Sequence, residues 1–102
     1  MLSRTELHDK LTQLLGSRNV YYQPPEGLKL KYPCIIYELN DVKTNHANNL
    51  PYDISKAYSI TIVDEDPDSE IADRMLTLPL CKFVDTYTSQ GLNHYKFTLF
   101  HK

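Results

Sequence analysis

The residues able to do chemistry are an acidic run, four histidines and two cysteines. Asp64, Glu65, Asp66, Asp68 and Glu70 form the densest cluster of charge. Counted from Asp64 as a calcium loop, the sixth position is Ser69 rather than Gly and the twelfth is Met75 rather than Glu. Asp66-Pro67 reads more simply as a helix N-cap followed by Pro at the first helical position, with Asp68 and Glu70 opposing the helix dipole. His8, His46, His94 and His101 are dispersed, and none stands at the spacing of a zinc pair. His94 and His101, seven apart on one strand, fall on opposite faces. Cys34 and Cys81 each open an apolar or alternating stretch, so they read as free, small hydrophobes of a reducing compartment rather than as a bridge. No glycine-rich nucleophile elbow, phosphate loop or dinucleotide pattern occurs, and only three glycines are present. The expectation is a protein that is not an enzyme and carries no metal or cofactor.

The elements around these residues are set by the apolar periodicity. Ser3 and Glu6 have the spacing of a capping box, with Leu2 and Leu7 as a hydrophobic staple. Leu7, Leu11, Leu14 and Leu15 make one apolar stripe, closed by Gly16. Val20-Tyr21-Tyr22 reads as a short strand, and Pro24-Pro25 confines the next segment to an edge or loop. Strands are expected over 34–39, apolar on both faces and hence central, and over 55–63, where Tyr58, Ile60 and Ile62 share a side. Between them, residues 40–53 hold four Asn and little periodicity, and read as a long loop or loosely held hairpin arm. A second helix buries Ile71, Met75 and Leu78 and ends at Pro79. A terminal hairpin turns at 89–93, with Phe83, Asp85 and Tyr87 on one side of its first strand. The order is α-β-β-β-α-β-β. It defines an α+β fold, with an antiparallel-dominated sheet of about five strands and two helices on one face.

One domain spans residues 1–102, since two would leave each without a workable core. Eleven basic residues against thirteen acidic ones give a net charge of −2, which removes the basic footprint of a dedicated nucleic-acid binder. The first fifteen residues mix Leu with charges, so no signal peptide is expected, and no apolar run approaches the ~20 residues of a membrane span. Eight tyrosines exceed what so small a core readily absorbs. Tyrosine is enriched at protein interfaces, and a sheet covered on one face leaves the other to be covered by another subunit.

With Y-Y-Q-P-P-E-G-L-K-L-K-Y-P-C-I-I-Y-E at 21–38 and D-P-D-S-E at 66–70, this order of elements resembles the tail terminator or tail-completion group of head-to-tail joining proteins in tailed bacteriophages. The resemblance implies a structural virion protein, assembled in the host cytoplasm, that forms a homo-oligomeric ring, in that family a hexamer. The ring ends polymerisation of the tail tube at its head-proximal end and docks on the head connector or head-closure protein. DNA crosses the lumen as cargo only, a task that mild acidity suits. A closed ring needs a heterologous interface, for which strand edges and the 40–53 arm are the candidates. Lys43, Asn45, His46, Asn48, Asn49 and Asp53 are expected to line the lumen or a neighbour, and Tyr21, Tyr22 and Tyr58 an intersubunit sheet face. The alternatives are a head-closure or connector protein of the same junction and, from another class, a small hydrolase or metal-binding enzyme.

Overall fold

The computed structural model of the chain describes residues 4–47 and 50–101. Two helices, α1 (Arg4–Leu15) and α2 (Glu70–Leu76), accompany five strands: β1 (Val20–Tyr22), β2 (Cys34–Ala47), β3 (Leu50–Asp64), β4 (Cys81–Ser89) and β5 (Leu92–His101). The strands form one sheet in the order β1-β2-β3-β5-β4. Every pairing is antiparallel except β1 with β2, which run parallel. The α+β order read from the sequence is thus the order of the fold.

The leucine stripe explains α1. Leu7, Leu11 and Leu15 are buried, and Gly16 ends the helix at a φ of 81°, its N–H donating to the Thr12 carbonyl at 2.9 Å. Ser3 and Leu2, the outer half of the expected cap, lie outside the described residues. Beneath the helices one face of the sheet supplies Ile35 and Tyr37 from β2, Tyr58, Ile60 and Ile62 from β3, and Phe97 and Leu99 from β5. Ile71, Ala72 and Met75 of α2 close the same core. At the start of β2 both Cys34 and Ile35 are fully buried, so its apolar character on two faces does reflect a central position.

The second helix begins later than Asp66 suggests. Asp64 Oδ1 accepts from the Asp66 N–H at 3.0 Å, and Asp66 Oδ1 from the Asp68 N–H at 2.9 Å. Two successive side-chain turns therefore occupy the carboxylates expected to cap a helix. Ser69 stands at the N-cap with extended backbone angles. Leu78 is only partly buried, beyond the end of the helix.

The expected loop at 40–53 is regular structure where described. β2 and β3 run on as a paired hairpin, with Asp41 opposite Ala57 and Asn45 opposite Asp53, and irregular register after Leu39 and after Asn45. Neighbouring strands do not extend with them. β1 leaves β2 at Tyr22–Tyr37, and β5 leaves β3 at Lys56–His101. Beyond these points, among the described residues, the two strands pair only with each other for roughly 20 Å, at about 3.3 Å per residue. The arm accounts for a longest dimension of 52 Å and a radius of gyration of 14.7 Å, against roughly 13 Å for a compact chain of this length.

The last two strands meet at a two-residue turn, Gln90-Gly91, with φ of 53° and 76°. Positive φ at both positions matches the twist of the flanking strands, and Gly91 meets that demand without strain. Within β4 the register shifts between Phe83 and Asp85. Phe83 consequently pairs with Phe97 on the helix side, whereas Asp85 and Tyr87 pair with Lys96 and His94 on the other. The even alternation expected for 83, 85 and 87 is broken there.

Both cysteines are free, Cys34 buried and Cys81 half-buried. Burial raises the Cys34 thiol to about 11 and raises Cys81 as well. A thiol at about 11 holds roughly a hundredfold less thiolate at pH 8 than one at its usual value. Native chain should therefore react with a thiol reagent in two slow phases, Cys34 the slower, both becoming fast in denaturant. The fold favours the neutral Cys34, so its contribution to stability is full below pH 9 and is lost as pH rises towards 11. Tyr37 and Tyr58, also raised by burial, add to the same alkaline loss above pH 10. Melting temperatures should hold steady from pH 8 to 9 and fall from there to pH 11.

Candidate intermolecular surfaces

Three parts of the chain are candidates to meet another molecule. The first is the arm. Its register sets Lys43 opposite Ser55, Asn45 opposite Asp53 and His46 opposite Pro51. Lys43 and Asn45 are two apart on β2, and Asp53 is the register partner of Asn45 on β3. Asn48 and Asn49 lie outside the described residues. A two-stranded hairpin is only marginally stable alone in water, so an arm with no third strand among the described residues gains from a partner.

The three tyrosines expected on one intersubunit face do not share one. Tyr58 lies in the core at 2% exposure, because its register opposite Leu99 and Leu39 turns it towards the helices. Tyr22 is on that same side, half-buried, its ring 4.9 Å from that of Tyr37 and 4.5 Å from the Arg4 guanidinium. Only Tyr21 falls on the opposite face of the edge strand. Tyr58 and Tyr22 are therefore structural parts of the α1–sheet contact. Tyr37 completes it: fully buried, its hydroxyl lies 2.7 Å from His8 Nδ1 and 3.4 Å from Arg4 Nη1. His8 faces inwards to this buried phenol, which needs a partner.

The second surface lies on the uncovered face of β4 and β5. The Tyr87 and His94 rings stack at 4.6 Å and 10°, and Lys96 Nζ reaches within 5.9 Å of the Tyr87 ring. Tyr87 and His94 pair directly across the two strands, which fixes the stack.

The third surface was not legible in the sequence. A cleft of about 310 Å³ opens between α2 and the β4–β5 hairpin. Its apolar walls include Leu76, Phe83 and Phe97, and Asp68 and Asp73 stand at its rim. Beside it Leu80 and Val84 are exposed, extending the apolar surface along the free edge of β4. The start of α2 and the register-shifted part of β4 border the cleft. Ser69 also lines it. Its Oγ is buried and has no hydrogen-bond partner among the described residues.

Among the described residues no three of His, Cys, Asp or Glu lie close enough to hold a metal ion, and no helix is long and apolar enough to cross a membrane. Neither a scan against protein-family models nor a search of curated proteins returns a match for this chain.

Proposed function

We propose that this chain is a structural protein of a tailed-bacteriophage virion, a tail terminator whose copies form a ring at the head-proximal end of the tail. The ring ends tube polymerisation and joins tail to head, with the tail tube protein and the head connector or head-closure protein as its neighbours. One observation carries the reading: a small α+β body bears a two-stranded arm in which β2 and β3 run on past their pairing with β1 and β5. The resemblance of the 21–38 and 66–70 segments to the tail-terminator group supplies the setting. Open surfaces at both margins of the sheet suit a repeated subunit, since a ring is built from two different patches that meet head to tail.

Light scattering after size exclusion, with and without purified tail tube protein, tests this. The expected result is a multimer of the chain on its own or on the tube end, accompanied by shorter tubes of defined length. A strict monomer that leaves tube growth unaffected overturns the ring. Binding to the connector protein alone, without the tube, would assign the chain to head closure instead.

A further inference from the structure

Resting on that reading, we infer that the cleft between α2 and the β4–β5 hairpin receives the 28–32 loop of a second copy of this chain, which makes it the head-to-tail joint of the ring. The cleft lies at the β4 margin of the sheet, and the loop comes after β1, at the opposite margin. Patches on opposite margins are what a heterologous contact requires.

The chemistry of the two surfaces is complementary. Asp68 and Asp73 make the rim acidic, and the run 64–70 adds further carboxylates nearby. Arg74, the cation of α2, is engaged elsewhere: its guanidinium donates to the Leu14 carbonyl at 3.1 Å and lies 3.6 Å from Glu70. The floor is apolar, through Leu76, Phe83 and Phe97.

The loop offers the converse. Leu28-Lys29-Leu30-Lys31-Tyr32 alternates apolar residues with cations and contains no acid. Leu28 is 46% exposed and Tyr32 38%. The segment is presented by a turn in which the Leu28 N–H donates to the Pro25 carbonyl at 3.3 Å, with Gly27 at a φ of 83°.

A second, independent observation points to an occupant. Ser69 is 5% exposed and lines the cleft, yet its Oγ lacks a partner among the described residues. A buried hydroxyl without a hydrogen bond is costly, and a backbone N–H or a lysine ammonium entering the cleft would satisfy it.

The test uses two charge-reversed full-length chains, one carrying Lys29→Glu with Lys31→Glu, the other Asp68→Lys with Asp73→Lys. Each alone brings like charges together at every joint, and should raise the concentration for half-assembly at least about tenfold. Mixed in equal amounts, the two should assemble again, because loop and cleft then carry opposite charges at every contact around an alternating ring. A fault in folding would not be repaired by mixing, and melting curves of each variant check it separately. If wild type assembles and both variants assemble equally well, the joint lies elsewhere while the ring stands. If each variant fails and the mixture also fails, the pairing of loop with cleft is overturned. If wild type remains monomeric at every concentration and in the presence of tube protein, the ring falls, and this joint with it.

Discussion

Phe97→Ala is expected to lower the stability of the chain by about 3–5 kcal/mol, the usual loss when a fully buried phenylalanine is truncated. Phe97 is 1% exposed, sits opposite Ile60 on β3 and Phe83 on β4, and meets the Phe83 ring edge-on at 5.6 Å and 77°. The cavity cannot collapse easily, because β5 is held on both sides by paired strands. A domain of this size has roughly 5–15 kcal/mol in total, so the variant sits near the margin of folding. Its melting temperature should fall by roughly 15–30 °C when monitored by circular dichroism. Tyr21→Ala, on the opposite face of a three-residue edge strand, should change it by only a few degrees. A small effect of Phe97→Ala would show that the core is not centred on this strand.

Deleting residues 44–51 should have the opposite profile. Lys43 then joins Tyr52, and three residues, 52–54, link the facing positions Lys43 and Ser55, a length that hairpins use readily. The residues that form the described helix–sheet core all lie outside the deleted segment. Thermal stability should therefore stay within a few degrees of wild type. Assembly on the tube should be lost, by about a hundredfold or more in the protein concentration required, because the arm is the part of the chain that reaches beyond its own body. Retained assembly and infectious particles from this variant would remove the arm from the joint.

The elements with strong periodicity were legible from residue types alone. The leucine stripe of α1, the alternation of Tyr58, Ile60 and Ile62, and the Gln90-Gly91 turn each have one geometry that satisfies them. Three features were not legible, each for a physical reason. The arm is not legible because its Asn-rich strands carry little apolar alternation, and such a stretch reads as a loop. Sequence alone does not place Tyr58 in the core, because a tyrosine's ring and hydroxyl suit interface and core equally. Its burial was decided by which face of β3 meets α1, a tertiary fact. The cap of α2 was displaced because Asp64 and Asp66 find nearer N–H groups in local turns, and that competition moved Ser69 into a buried place that lines the cleft.

The register shift at Val84 bears on how this chain survives in quantity. A free outer strand is a template on which foreign strands can zip, and the end point of such growth is a fibre. On β4 the extra residue kinks the backbone within its first half, leaving short unequal segments, 81–83 and 85–89, instead of one straight row of free peptide groups. Lys82 and Asp85 flank the kink with opposite charges. The edge is thus steered away from endless sheet growth. Its apolar flank stays available for contacts made through side chains, which can close on themselves and stop.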